Sequence, residues 1–109
     1  MKTYANLNTL DKSQILSLLQ THRDEVASYG VTTIGLFGSY VRNEQKRTSD
    51  VDILVDFQKD KKTFRNYINL VYYLEDMLGK PVEVVTNDSL SPYIGHYIKE
   101  EAEYVKIAS

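Results

Sequence analysis

The sequence predicts a mixed α/β domain of the α+β kind, in which a small mixed β-sheet carries helices packed on it. Segments with apolar residues at helical spacing alternate with short β-branched runs, in the order helix, strand, helix, strand, helix, strand, helix. Gly or Pro stands at several of the boundaries. With 109 residues and 42% hydrophobic composition the chain can bury one core, so we expect a single domain over residues 1–109.

The first helix is predicted from Leu10 to Tyr29, and Gly30 provides its stop. Its apolar face consists of residues at helical spacing, namely Ile15, Leu18, Leu19 and Val26. His22 lies on the same stripe. This histidine is either functional or placed at the edge of the core, and the second interpretation is favoured.

Two longer helices are predicted in the second half of the chain. One covers residues 63–78 with a continuous apolar face, and Gly79 closes it. The last helix starts with Ser91 as its N-cap and Pro92 as its first residue, and it is predicted to reach Glu103.

The last predicted helix carries two stripes of side chains. The aliphatic stripe is expected to pack on the sheet and consists of Ile94, Ile98 and Val105. The aromatic stripe lies about a third of a turn away and consists of Tyr93, Tyr97 and Tyr104. These tyrosines either cover the rim of the core or form a surface for a protein partner, since Tyr is enriched at interface hot spots.

Three strands are predicted, over residues 31–37, 50–57 and 82–86. The middle strand alternates most clearly, and one of its faces consists of Val51, Ile53, Val55 and Phe57. The opposite face consists of Asp50, Asp52, Leu54 and Asp56. A solvated face would explain these aspartates without any chemistry.

Composition excludes several classes of function. Thirteen Lys and Arg against fifteen Asp and Glu give a formal net charge of -2, which argues against nucleic-acid binding by bulk charge. The absence of cysteine excludes disulfides and thiolate zinc sites. Neither a signal peptide nor an apolar run of membrane-spanning length is visible. We therefore expect a soluble, intracellular protein that binds neither membranes nor nucleic acid directly.

A Gly-Ser pair follows the first strand and is expected to open one helical turn over residues 40–44, with Ser39 near its N-cap. Gly38 lets the backbone approach a ligand closely. Backbone N–H groups and the Ser39 hydroxyl would then point outward from the turn. This arrangement is typical of a phosphate-binding site.

Two carboxylates, Asp50 and Asp52, occupy positions i and i+2 of the next strand and therefore share one of its faces. Paired carboxylates suit Mg²⁺, which takes oxygen ligands and keeps substrate phosphates in its coordination shell. If the two strands are neighbours, the phosphate-binding turn and the carboxylates line one cleft. Phosphoryl or nucleotidyl transfer needs this arrangement.

The combined pattern Gly38-Ser39-x10-Asp50-x-Asp52 resembles the signature of the minimal nucleotidyltransferases, the MNT branch of the polymerase-β-like superfamily. The resemblance covers residues 31–85 by motif and, through the order and length of the flanking helices, nearly the whole chain. It implies the polymerase-β-like nucleotidyltransferase fold, a small mixed sheet with helices on one side.

The resemblance also implies the chemistry. Members of this family transfer a nucleoside monophosphate from a nucleotide, usually ATP, with Mg²⁺ as cofactor, and many are antitoxins that add AMP to a tyrosine of a HEPN-type toxin. By this resemblance Asp50 and Asp52 are the metal-binding and catalytic pair, and Gly38 and Ser39 bind phosphate. The implied partners are ATP and a HEPN-type toxin, and the implied location is the cytoplasm. The oligomeric state, a homo-oligomer included, stays open.

The phosphate-binding motif departs from the family pattern at two positions. The family often has Gly-Ser-x-Ala-Arg-Gly, and this chain has Val41 and Asn43 in place of the Ala and the second Gly. Asn is tolerable there because it adopts positive φ more readily than most residues. Arg42 matches the family pattern. It either contacts phosphate or pairs with Glu44 or Asp50.

A third carboxylate, on a later strand, also departs from the family pattern. Fully active superfamily members usually carry an Asp on a later strand, thought to help activate the attacking hydroxyl, and Glu83 stands at that position here. Glu83 can share the face of Asp50 and Asp52 if their strands are adjacent. Glu is longer than Asp, and misplacement on the order of 1 Å can cost ~100-fold in rate. We expect Glu83 to act as the base or as a third metal ligand, with slow chemistry or a plain surface carboxylate as alternatives.

Three functions compete. The leading hypothesis is Mg²⁺-dependent transfer of AMP from ATP to a protein hydroxyl, namely the tyrosine of a HEPN-type toxin. The second is a catalytically weak module of the same fold that neutralises a toxin by docking, and the departure at Glu83 motivates it. The third and least favoured is modification of a small molecule, as in antibiotic nucleotidyltransferases, because those generally carry an additional substrate-binding region.

Overall fold

The computed structural model describes residues 10–107, which form a four-stranded sheet and four helices. The helices are α1 (Lys12–Thr21), α2 (Arg23–Ala27), α3 (Phe64–Leu78) and α4 (Pro92–Glu101). The strands are β1 (Val31–Phe37), β2 (Val51–Phe57), β3 (Val82–Thr86) and β4 (Glu103–Lys106). Their order in the sheet is β3-β2-β1-β4, with β2 and β3 parallel and the other two pairs antiparallel. The predicted mixed sheet with helices is confirmed.

The main hydrophobic core joins one face of the sheet to side chains of α1, α2 and α3. From β2 it takes Val51, Ile53 and Val55, as the alternation predicts, with Phe57 at its rim. Within the described range, none of the helices combines the length and the apolar character that a membrane span requires.

The opposite face of the sheet has an apolar centre. Leu54 is fully buried although it lies between Asp52 and Asp56 on this face. Its cross-strand partner is Gly35, and the Tyr104 ring packs so closely on Gly35 that an added Cβ would lie 2.9 Å from the ring. The aspartates therefore flank a covered apolar centre, and the interpretation of this face as simply solvated is wrong.

The predicted bounds of α3 and the predicted start of α4 are confirmed. The Thr63 side chain accepts a hydrogen bond from the backbone N–H of Asn66 and caps α3. Gly79 ends that helix in the left-handed conformation with φ 69°. The Ser91 hydroxyl caps α4, and Pro92 is the first residue of that helix.

The first helix is interrupted, so the prediction of one helix from Leu10 to Tyr29 is wrong. The chain breaks at His22, which ends α1 and precedes α2. The backbone N–H and the ring Nδ1 of His22 both donate to the Leu18 carbonyl, at 3.0 and 2.9 Å. His22 is thus placed at a helix junction, as the structural interpretation of this residue predicts.

The last helix is shorter than the sequence predicts. It ends at Glu101 instead of Glu103, because Ala102 adopts an extended conformation and leads into β4. β4 is not predicted from the sequence, since four residues after a helical pattern carry too weak a local signal. The strand forms because the edge of β1 offers it backbone hydrogen bonds, which is a non-local cause.

The side chains of α4 also differ from the prediction. Ile94 is 56% exposed, so it does not pack on the sheet as expected. Gly95 is buried instead, and an added Cβ there would lie 3.3 Å from that of Leu90. Tyr93 and Tyr97 are exposed, with their ring centroids 5.9 Å apart in an edge-to-face arrangement. These two tyrosines do not cover the core, and a role in partner binding stays a prediction.

We expect Leu54→Ala to lower the free energy of unfolding by about 2–5 kcal/mol, because it empties a buried site on the aspartate-bearing face. Urea unfolding followed by circular dichroism measures the change. Ile94→Ala is the matched control, since it removes an aliphatic side chain that is mostly exposed. A Leu54→Ala effect within about 0.5 kcal/mol would mean that this face is solvated after all.

Candidate active site

The candidate site lies at the end of the sheet where three strands bring their polar residues together. Phe37, the last residue of β1, pairs with Asp52 of β2. Asp52 in turn pairs with Glu83 of β3. Gly38 follows Phe37 directly and lies against the Asp52 carboxylate, where an added Cβ would come within 2.1 Å of Oδ2. The strands are therefore neighbours, the condition on which the predicted cleft depends.

The turn after β1 is tighter than predicted. Gly38–Tyr40 form a single 3₁₀ turn instead of a helical turn beyond Ser39, and Phe37 stands at its N-cap. Gly38 adopts φ 79°, a conformation that favours glycine. Asn43 has φ 58°, as expected for the family's glycine position. Because three residues provide no substantial helix dipole, any phosphate bound here depends on individual hydrogen-bond donors.

Arg42 joins this turn to two carboxylates. Its Nε donates to Glu44 at 2.9 Å and its Nη1 donates to Glu101 at 2.6 Å. Pairing with Glu44 was one predicted alternative, whereas the structure gives Arg42 no ion pair with Asp50 within residues 10–107. Both carboxylates raise the pKa of Arg42, so its guanidinium stays charged.

Glu101 is a site residue that the sequence analysis misses. Its Oε2 accepts a hydrogen bond from the Gly38 backbone N–H at 2.7 Å, across 63 positions in sequence. Burial works against its ionisation, but the hydrogen bonds from Gly38 and Arg42 outweigh it and lower the pKa of Glu101. A contact over this sequence distance leaves no local pattern that could have revealed it.

Asp52 is the carboxylate whose pKa the site perturbs most. Burial, together with the negative charges of Glu83 and Asp50, raises the pKa of Asp52 to about 6, and Arg42 opposes the shift. Like charges crowded around a half-buried carboxylate are typical of functional sites. A bound cation would relieve this repulsion.

The three predicted metal ligands do not form a closed set in this conformation. Among residues 10–107, no group of three or more His, Cys, Asp or Glu side chains is arranged to hold a metal ion. Asp50 and Glu83 are exposed and Asp52 is half-buried, so two of the three carboxylates can turn without disturbing the core. The donors nevertheless fit Mg²⁺, because all of them are carboxylate oxygens and Arg42 offsets their repulsion around Asp52 only in part.

Asp56, at the other end of β2, belongs to a different cluster. Its Oδ2 accepts hydrogen bonds from the Thr33 hydroxyl at 2.7 Å and from the Asn87 amide at 2.8 Å. Burial and the Asp56 charge together raise the pKa of Tyr104. Asp56 therefore has a structural role on the same face that carries Asp52.

Comparison with known proteins assigns the chain to a family. The nucleotidyltransferase domain model matches residues 19–105. The protein adenylyltransferase MntA of Thermococcus cleftensis is 43% identical over 97 residues, which cover 88% of this chain and 97% of the relative. The chain belongs to the nucleotidyltransferase domain family.

Solved structures agree with this assignment. One described as a "putative minimal nucleotidyltransferase" has a TM-score of 0.70 at 30% identity, covering 87% of this chain and 96% of that chain. A toxin–antitoxin crystal structure with AMP-PNP has a TM-score of 0.62 at 26% identity, covering 87% of this chain and 72% of that chain. The fold and the minimal nucleotidyltransferase type predicted from the sequence are therefore confirmed, and the chain is an enzyme of this class.

Asp52→Asn is expected to stabilise the metal-free fold at neutral pH. The pKa of Asp52 is about 6 in the folded state against an ordinary 3.8, so the folded state binds the proton more tightly. Stability is therefore lost as the pH rises from about 4 to about 6. The variant should exceed wild type by on the order of 1 kcal/mol at pH 7.5 and match it near pH 3.5.

Denaturant unfolding in EDTA at both pH values measures this difference. Asp76→Asn is the control, because Asp76 carries the same charge in an exposed position and is not among the charges that raise the pKa of Asp52. An equal gain at both pH values would contradict the role of Asp52 ionisation.

Gly38→Ala is expected to destabilise the protein by more than about 2 kcal/mol, since the new methyl group would meet Asp52 in addition to straining the backbone. Gly79→Ala provides the comparison, because Gly79 has a similar φ of 69° but an exposed position. This control should cost only about 1 kcal/mol. Thermal unfolding of both variants separates backbone strain from the clash, and equal losses would rule out close packing on Asp52.

Proposed function

We propose that this nucleotidyltransferase moves AMP from ATP to a protein hydroxyl, with Mg²⁺ as cofactor, and that it acts as an antitoxin. The observation that carries the proposal is the contact between the Gly38 turn and Asp52. A relative named protein adenylyltransferase and a structural relative described as a toxin–antitoxin complex with AMP-PNP support it. The acceptor is then a tyrosine of a HEPN-type toxin, and the cytoplasm supplies the ATP.

The proposed reaction joins the acceptor oxygen to the α-phosphorus of ATP. The bond from that phosphorus to the oxygen bridging to the β-phosphate breaks, and pyrophosphate leaves. Asp50, Asp52 and Glu83 would hold Mg²⁺, which when bound neutralises phosphate charge and stabilises the reacting oxygens. Glu83 would also accept the proton of the acceptor hydroxyl, because it pairs with Asp52 on the exposed edge strand β3.

Phosphate contacts in this proposal rest mainly on Ser39 and Arg42. The Gly38 N–H already donates to Glu101, so glycine at this position serves the close approach of the turn. Arg42 has five N–H donors, and its two carboxylate partners leave donors for phosphate oxygens. Ser39 is half-buried in the same turn.

Docking without AMP transfer is the second candidate function. Two observations favour it: the open arrangement of the carboxylates among the described residues and the exposed side chains of α4. Those exposed side chains are Tyr93, Ile94 and Tyr97. In this case the fold would neutralise a toxin by contact alone.

The deciding experiment is label transfer. The protein is incubated with α-labelled ATP, Mg²⁺ and the product of the adjacent gene. We expect label on the partner, and we expect an Asp50→Ala/Asp52→Ala variant or added EDTA to reduce it by at least about 100-fold, since both remove the metal site. An Asp24→Ala/Asp76→Ala variant has the same change in charge at exposed positions and should retain full activity.

Growth of cells that express the toxin separates the two candidates. If the Asp50→Ala/Asp52→Ala variant still protects these cells, docking is the function. Full label transfer by this variant in its folded form would refute the assignment of the metal site. Glu83→Gln should slow transfer without preventing partner binding, and an unchanged rate would remove Glu83 from the chemistry.

A further inference from the structure

We infer that Glu101 is a positioning residue of the active site, which holds the Gly38 turn and the Arg42 guanidinium in the arrangement that receives the phosphates of the nucleotide. The inference rests on the proposed function and deepens it. It concerns a residue outside the sequence motif, at the far end of the chain.

A single carboxylate makes both contacts. Oε2 of Glu101 accepts from the Gly38 N–H at 2.7 Å, and Oε1 accepts from Nη1 of Arg42 at 2.6 Å. Hydrogen bonds to an ionised group are about twice as strong as neutral ones. Because one rigid group uses both oxygens, it fixes the backbone of the turn and the arginine side chain relative to each other.

The other carboxylate partner of Arg42 cannot provide the same restraint. The side chain of Glu44 is 66% exposed, whereas that of Glu101 is 25% exposed. Exposed ion pairs contribute little because water and salt screen them. Glu44 also contacts only the arginine side chain, so it does not link Arg42 to Gly38.

The register of β4 on β1 explains why Glu101 reaches the turn. Leu36 pairs with Glu103 in these antiparallel strands. Gly38, which opens the turn, lies two residues after Leu36, and Glu101, which ends α4, lies two residues before Glu103, so this pairing brings the two close together. The ion pair of Lys12 with Glu103, at 2.8 Å, attaches the start of β4 to α1. The C-terminal strand thus brings a carboxylate to the active site.

Glu101 leaves the phosphate donors available. It uses one of the five N–H groups of Arg42 and the backbone N–H of Gly38. The Ser39 hydroxyl takes no part in the contact. If the carboxylate instead occupied the place of a phosphate group, Glu101→Ala would lower the Kd for the nucleotide in the binding experiment below.

The test measures binding of AMP-PNP with Mg²⁺ by calorimetry. We expect Glu101→Ala to raise the Kd roughly tenfold, the effect of losing hydrogen bonds to a charged group. Glu101→Gln keeps one acceptor oxygen and should have an intermediate effect. Glu44→Ala and Glu100→Ala are the controls, since both remove an exposed carboxylate nearby, and their Kd should stay within about twofold of wild type.

A double-mutant cycle separates positioning from a merely structural role. If Glu101 acts in part through Arg42, the Glu101→Ala change should raise the Kd less in an Arg42→Ala background, where only its contact with Gly38 remains to be lost. The inference would be overturned if the effects of the two substitutions on the Kd were simply additive. It would also be overturned if Glu101→Ala left the Kd unchanged or lowered it. If Glu101→Ala fails to fold, Glu101→Gln replaces it in every measurement.

A measurement without ligand distinguishes failure of this inference from failure of the proposed function. Amide hydrogen exchange over residues 38–42 should be faster in Glu101→Ala than in wild type and unchanged in Glu100→Ala. If wild type binds AMP-PNP but labels no partner, the proposed transfer fails while the cycle still tests Glu101. If wild type binds no nucleotide, the amide exchange rates over residues 38–42 test whether Glu101 holds the turn. Equal rates in wild type and Glu101→Ala would refute the inference.

Discussion

The antiparallel pairing of β1 with β2 is the constraint on which the site depends. It sets the end of β1 opposite the start of β2, so that Phe37 pairs with Asp52 and the chain must turn at Gly38 against that carboxylate. The close contact leaves no room for a side chain at Gly38, and φ 79° favours glycine there as well. The hydrogen bonds that hold the sheet together therefore also set the spacing between the turn and the carboxylate.

The same arrangement crowds negative charge around Asp52, where we propose that a cation binds. Asp52 is half-buried, and the neighbouring charges of Glu83 and Asp50 add to its desolvation. This costs stability in the absence of metal, because the ionised form of Asp52 is disfavoured. The apolar centre of the same face, where Leu54 is fully buried, offsets part of that cost. The buried apolar centre and the proposed metal site thus lie next to each other on one face of the sheet.

The C-terminal segment connects this site to the rest of the fold. β4 completes the sheet on the free side of β1, and α4 ends at the carboxylate of Glu101 beside the turn. Tyr104 of β4 also covers Gly35 in the middle of the site face. Changes in α4 or β4 can therefore reach the Gly38 turn through backbone pairing and a single bridging carboxylate.

The sequence by itself determined what depends on neighbouring residues. Alternation assigned Asp50 and Asp52 to one face, Gly79 marked the end of α3, and Ser91 with Pro92 marked the start of α4. The spacing of the Gly-Ser turn from the paired aspartates identified the family. Only the tertiary structure decided the features with distant partners. β4 forms because the edge of β1 accepts it, and Glu101 reaches Gly38 across 63 positions. Local propensity cannot encode such contacts, since the free energy that favours them comes from groups that only the folded chain brings together.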